Sequence, residues 1–334
     1  MGLRDPVFII GGARSGTTFL AKLFDSHPEV LYRHEPDSVL VSSEVPYVPR
    51  RDDTARFVAP ARGYLEALLR VRATKVSGQG PFFDKAYRSG LQKRAFLAGL
   101  YLAKAMERLA GPLVKRPLPV ADFIRGGRED EILHVIKSVD SPWRTVLFSD
   151  AMPNMRFIHI VRHPCAVVNS RLRGIKSKLM AGKIYMQTPF EAGMADGYPF
   201  SLEELEALSF EEQSAFLWMI CNQWIHDSMA GRQGYLMVCY EDLCRDLEAT
   251  TRRMFDFAGL SWNPQTEAFI RALETSDTGN AGYFSVMRSP VTSLDKWRDQ
   301  LSGEQIERIE RMISRSDIGR RFVDGADAKK ERAS

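Results

Sequence analysis

Apolar residues in this chain gather into short unbroken runs, each closed by polar or glycine-rich punctuation. Val7-Phe8-Ile9-Ile10 is the first, and it leads into Gly11-Gly12-Ala13-Arg14-Ser15-Gly16-Thr17-Thr18. Its unbroken β-branched character suits a strand covered on both faces. From Thr17 to Ser26 the period changes, and Phe19, Leu20, Leu23 and Phe24 fall on one helical face. The same switch recurs at Phe157-Ile158-His159-Ile160-Val161, followed by Arg162-His163-Pro164 and an apolar helical face of Val167, Val168 and Leu172. Pro164 suits the first turn of that helix, where its missing N–H costs little. A third unit runs from Tyr235 to Tyr240, through Glu241-Asp242-Leu243, to a helix carrying Leu247, Met254, Phe255 and Phe257. Ile132 to Ser138 reads as a further strand with Lys137 near its end, and Ser302 with Gln305 reads as a capping box. Strands alternating with helices predict a parallel α/β sheet, with ligands at the carboxyl ends of the strands.

The first unit has a chemical consequence. A strand, a Gly/Ser turn and a helix N-terminus form an anion site, because unpaired N–H groups and the helix dipole converge there. Gly11 and Gly16 have the spacing of a nucleotide-binding P-loop, yet Thr17 stands where that loop carries its lysine. The loop is expected to hold a phosphate without being an ATPase loop.

Size and composition narrow the options. With 334 residues, 44% of them hydrophobic, the chain can bury one large core. A net charge of +4 is too mild for a nucleic-acid binder. Cys165, Cys221, Cys239 and Cys244 form no CxxC pair, and the six histidines lack zinc-ligand spacing. The expectation is a reduced, cytoplasmic protein with no metal and no transmembrane run. No signal peptide is expected with only six residues before the first strand, and no myristoylation with Pro6 at the position that signal gives to Ser or Thr. Residues 1–323 are expected to form a single domain, followed by a polar tail from 324 to 334.

Several motifs, taken together and in order, resemble those of sulfotransferases that use 3′-phosphoadenosine 5′-phosphosulfate (PAPS). Gly12 to Thr18 is similar to the loop that family wraps around the 5′-phosphosulfate. Val161-Arg162-His163-Pro164 with Ser170 is similar to its 3′-phosphate motif, with His163 where the family has Asp. Tyr240-Glu241-Asp242-Leu243 matches a recurrent strand-end motif, and Trp297-Arg298 resembles a late Trp-Lys/Arg element. Arg14 in place of Lys, and Glu35-Pro36 soon after the first helix, place the resemblance nearer the carbohydrate-type branch than the phenol and steroid type. The expectation is a soluble, bacterial-type relative without the membrane anchor of animal Golgi enzymes. The implied fold is a P-loop-like parallel sheet flanked by helices, with a largely helical substrate-recognition insertion at about 39–130.

The resemblance implies PAPS as donor, adenosine 3′,5′-bisphosphate (PAP) as product and no metal requirement. Arg14, Ser15, Gly16, Thr17 and Thr18 would hold the leaving phosphate, and Arg162 with Ser170 the 3′-phosphate. Tyr240 would meet adenine, and Trp297 and Arg298 would close over the nucleotide; a core tyrosine and a packed Trp beside a surface Arg are the plainer readings. Glu35 is the candidate general base, with His34 beside it as the alternative and a surface glutamate as the plain reading. Lys137 either reaches the transferring group or is a solvated strand-end charge. The acceptor would be a small molecule, sugar or lipid. Other readings of the loop are an atypical P-loop kinase, which would need Mg²⁺-ATP, or a catalytically silent nucleotide-binding protein.

Charge is uneven elsewhere. Arg171, Arg173, Lys176, Lys178 and Lys183 come without an acid, and residues 191–212 carry seven acids and no Lys or Arg. A lid over about 171–212 and two solvated faces both fit this pattern. The stretch 85–116 mixes Phe96, Leu97, Leu100 and Leu102 with Lys and Arg, which fits peripheral membrane contact or an ordinary core-packed helix.

Overall fold

A computed structural model describes residues 4–180, 182–275 and 294–330, with side chains described to residue 323. Its centre is a five-stranded, wholly parallel sheet in the order β2-β3-β1-β4-β5. The strands are β1 (Val7–Ile10), β2 (Val30–His34), β3 (Leu133–Ser138), β4 (Arg156–Val161) and β5 (Tyr235–Cys239). Around them lie α1 (Thr17–Asp25), then α2 (Val58–Arg70), α3 (Thr74–Ser77) and α4 (Gly90–Ala110), which make the region inserted between β2 and β3. Helices α5 (Thr145–Ala151), α6 (Pro164–Lys176), α7 (Gln187–Glu191), α8 (Leu202–Ala207) and α9 (Phe210–Met229) follow. The last are α10 (Tyr240–Arg245), α11 (Leu247–Ala258), α12 (Pro264–Thr275), α13 (Lys296–Gln300), α14 (Gly303–Ile313) and α15 (Asp317–Lys330).

The runs of apolar residues become strands because both sheet faces are covered. Val7 and Ile9 point to a layer built with Leu20, Leu23, Phe24 and Phe255, whereas Phe8 and Ile10 point to the opposite layer with Leu65, Leu68 and Phe148. Every residue of β1 is fully buried. Alternate side chains therefore serve different layers, and β1 is apolar at both parities. A third cluster joins α6, α9 and α14 beside the sheet. Ser302 and Gln305 do form a capping box at the start of α14, and Pro164 is the first residue of α6.

The structure corrects two local expectations. Glu35-Pro36 does not follow directly on α1: the strand β2 intervenes, and Glu35 stands at its carboxyl end. Tyr240 does not end β5 but begins α10. In the 171–212 stretch, Met186, Ala192, Met194, Ala195 and Leu205 are buried in the cluster around α9. Of the 85–116 stretch, Phe96, Leu100 and Ala103 pack inward from α4, while Leu102, Met106 and Leu109 are exposed. Among the described residues no helix is long and apolar enough to cross a membrane.

Candidate active site

The sheet register brings five strand ends to one edge. Ile10 lies beside Ser138 and His159, His34 beside Lys137, and Val161 beside Cys239. Residues immediately after those positions are the ones the sequence singles out. β1 is central, with β3 on one side and β4 on the other, so the loop that follows it opens at the crevice typical of such sheets.

That loop is shaped by steric exclusion. The Ser15 amide donates to the Gly12 carbonyl at 3.1 Å, and Arg14 and Gly16 both adopt left-handed backbone, with φ of 75° and 94°. Gly16 is the N-cap of α1 and supplies no side chain to cap it, which leaves the first helical N–H groups directed into the loop. A Cβ at Gly16 would lie 2.3 Å from the Tyr240 ring, and one at Gly11 would lie 2.6 Å from the Ile160 carbonyl. Both glycines are required by close approach of neighbouring chain. Ser15 and Thr17 are buried, and Thr18 is half-buried on the first turn of α1.

Distant residues complete this pocket. Arg14 Nε donates to Ser170 Oγ at 2.9 Å, and Arg162 Nη1 donates to the Arg14 carbonyl at 3.2 Å. The Arg162 guanidinium lies over the Tyr240 ring at 4.5 Å, a favourable cation–π placement. Arg14, Arg162, Ser170 and Tyr240 are thus one cluster, with Tyr240 also edge-on to Phe19. Two buried polar atoms here have no hydrogen-bond partner among the described residues, Ser15 Oγ and Arg162 Nε. An unpaired buried polar atom costs about 1–3 kcal/mol, so a phosphate oxygen at this spot would relieve an existing deficit.

Trp297 and Arg298 pack at His163, the residue after Arg162. The buried Trp297 ring stacks on His163 at 4.4 Å, and Arg298 lies on the indole at 4.3 Å with Asp295 at 3.4 Å. They reach the site through His163, whose backbone amide donates to Glu241 Oε1 at 3.0 Å.

The second half of the site is on β2 and β3. Lys137 is buried and donates to Glu35 Oε1. Glu35 itself has φ of 47°, and its amide donates to the Lys137 carbonyl at 2.8 Å. Burial pushes the Glu35 carboxyl up, but the Lys137 ammonium outweighs that and holds it below the usual glutamate range. Burial draws Lys137 below its ordinary value despite its partner. His34, the alternative base, is pushed down to about 3 by burial and by the Lys137 charge. Its Nδ1 meets the Tyr32 hydroxyl at 2.7 Å, and its Nε2 lies 3.9 Å from Glu35. Both groups are thus weak bases, and Glu35 is the one ion-paired to Lys137 on the neighbouring strand.

A support shell here went unread in the sequence. Asp37 Oδ2 accepts from the hydroxyls of Ser138 and Ser141, the latter at 2.6 Å, and Ser138 Oγ accepts the Asp140 and Ser141 amides at 3.0 and 2.9 Å. Asp140 is pushed up by burial and by the nearby carboxylates. The available signal was Ser138-Val139-Asp140-Ser141 directly after an apolar run, with Asp37 two residues beyond Glu35.

Fold and site together define a parallel α/β protein with an anion-binding strand–loop–helix and a carboxylate–ammonium pair on the same edge. A sequence model of the sulfotransferase family matches residues 6–264, and the chain belongs to that family. It is 25% identical to carbohydrate sulfotransferase 2 of Mus musculus and to that of Homo sapiens, in each case over 92% of this chain and 63% of the relative. It is 22% identical to carbohydrate sulfotransferase 5 of Mus musculus, over 93% of this chain and 79% of that protein. The chain therefore spans a little under two thirds of the first two relatives. Among solved structures, the sulfotransferase domain of a Synechococcus olefin synthase aligns over 93% of this chain and 96% of that one, at 17% identity and a TM-score of 0.44.

Proposed function

We propose that this protein transfers a sulfuryl group from PAPS to a hydroxyl or amine of a carbohydrate, lipid or other small-molecule acceptor. The observation that carries the reading is the convergence of Arg14, Arg162 and Ser170 on the open N-terminus of α1, one strand away from the Glu35–Lys137 pair. Bound PAPS would supply the sulfuryl group and, in its 5′-phosphate, the leaving group. Arg14, the α1 amides and the Thr17 and Thr18 hydroxyls face the charge that grows on that phosphate as its bond to sulfur breaks. Arg162 and Ser170 hold a second phosphate, the feature that separates this nucleotide from ATP. Glu35 takes the acceptor proton while the acceptor oxygen bonds to sulfur, and Lys137 keeps Glu35 ionised and in place for that step. Positioning and electrostatics account for the catalysis, as in phosphoryl transfer.

Calorimetric titration tests the donor. PAP should bind without Mg²⁺ and more tightly than ADP or Mg²⁺-ATP. Arg162→Ala should weaken PAP about 10- to 100-fold, the loss of one or two charge-assisted hydrogen bonds. Tighter binding of Mg²⁺-ATP, or no PAP binding, would favour the kinase reading of the loop and remove this one.

A further inference from the structure

A cleft of about 370 Å³ opens between α3, α4 and the chain that follows α4. Its walls carry Lys75, Lys104, Lys115 and Arg116 against one carboxylate, Glu107. That carboxylate is already engaged: Glu107 Oε1 accepts the Thr74 hydroxyl at 2.5 Å and the Leu118 amide at 2.6 Å. Lys104 reaches only the Gly78 carbonyl, at 2.7 Å, and no ion pair forms at any of the four cations among the described residues. Four like charges around one concavity raise its potential and concentrate anions in it.

The position of the cleft says which anion. Helix α3 packs on β2, at the far edge of the sheet from β4, where Arg162 stands. Two strand spacings, about 10 Å, separate β2 from β1 and its phosphate loop. The nucleotide's phosphates belong to the β1 and β4 side, whereas Glu35 belongs to the β2 side. Lys75 is common to the cleft and to that catalytic edge, because it lies on α3, which packs on β2, the strand that ends next to Glu35.

We propose that this cleft is an anion subsite for the acceptor. It rests on the sulfotransferase reading above and narrows it: the acceptor carries a carboxylate, sulfate or phosphate that lies among Lys75, Lys115 and Arg116 while its hydroxyl reaches Glu35. The cations neither donate nor accept the transferred group; they position the acceptor and select against neutral analogues.

The probe is sucrose octasulfate, with sucrose as its neutral match, titrated calorimetrically into protein already saturated with PAP. The octasulfate should bind and sucrose should not. The double variant Lys115→Ala/Arg116→Ala should weaken the octasulfate at least about tenfold, and Lys75→Gln should weaken it as well, with PAP affinity unchanged in both. These side chains are exposed, so loss of fold does not confound the comparison. Failure of octasulfate to bind, or equal affinity in the double variant, overturns the subsite. Loss in the double variant but not in Lys75→Gln separates the cleft from the Glu35 edge and overturns its acceptor role. PAP binding is read on the same samples, so a failed nucleotide reading shows itself separately from a failed subsite.

Discussion

Glu35 occupies a backbone conformation that costs a non-glycine residue about 1–3 kcal/mol, and Arg14 occupies another. Both are assigned chemical roles here, and both are held by contacts that over-determine them. Ser38 Oγ donates to the Glu35 carbonyl at 2.7 Å, and the Glu35 amide is fixed by β3. The left-handed turn lifts Glu35 off the line of β2 and hands its carboxylate to Lys137 on the neighbouring strand. Glu35→Gln keeps this shape and removes the base. Its turnover with PAPS should fall about 10²–10⁴-fold while PAP affinity stays near wild type; turnover within a few-fold of wild type would remove Glu35 from the role. Because the Glu35 carboxyl is held below the usual glutamate range, the base is ionised throughout the neutral and mildly acidic range. The acid limb of kcat/KM for the wild type should therefore lie below the ordinary glutamate pKa of about 4.3, not near 6 or 7 as an unperturbed histidine would give. A limb near 6.5 would mean that the base is neither Glu35 nor His34 as they are buried here.

Between elements, the decisive connection is the tie from β2 to the inserted region. Arg33, fully buried in β2, donates to both carboxylate oxygens of Asp122, at 2.8 and 2.6 Å, and Arg72 adds a further contact at 2.9 Å. Arg33 also reaches the Leu69 carbonyl and Ser77 Oγ, both at 3.2 Å, so the end of α2, α3 and residue 122 all hang on one strand. Burial raises the Asp122 carboxyl, but Arg33 outweighs it and keeps it ionised. Removing one partner leaves the other charge buried and unpaired, which costs about 3–5 kcal/mol. Asp122→Ala should lose that much stability in urea unfolding, and the double variant Arg33→Met/Asp122→Leu should recover a large part of it. A loss below about 1 kcal/mol in the single variant would mean that the pair does not hold the insertion to the sheet. The same tie fixes α3 beside β2, and with it the distance between Lys75 and Glu35.

At the scale of the whole molecule, burial of neutral histidines sets the response to acid. His34 is pushed down to about 3, and His134 and His159 to about 4, in each case chiefly by burial. His159 is held between the Tyr235 hydroxyl and Asn222 Oδ1, both at 2.9 Å, inside the sheet. Their native pKa values lie below the unfolded value near 6.5, so below that pH the unfolded chain takes up protons the native state refuses. Stability is then greatest above pH 6.5 and falls as the pH drops toward 4, by up to about 1.4 kcal/mol per pH unit for each histidine. Urea unfolding at pH 7.5, 6.0 and 5.0 should show midpoints that decrease steadily. Flat midpoints across that range would mean that these histidines accept protons in the folded state.

The amino-acid order by itself determined what is local. The strands at residues 7–10, 133–138, 156–161 and 235–239 follow from apolar runs, and the phosphate loop from glycine spacing before a helical period, because strand burial and turn geometry depend on neighbouring residues. β2 was not legible: Tyr32, Arg33 and His34 break the apolar pattern, and their polar groups are tolerated only because Asp122, from the far end of the insertion, and the Tyr32–His34 contact satisfy them. Glu35 and Lys137 could be named as candidates, but not as partners, since 102 positions separate them and only the β2–β3 register joins them. The same holds for Arg14 with Ser170, 156 positions apart, and for the cations of α3, α4 and the segment after α4 that share one cleft. Long-range pairing and charge clustering arise from packing, in which residues distant along the chain become neighbours, and only the tertiary structure decided them.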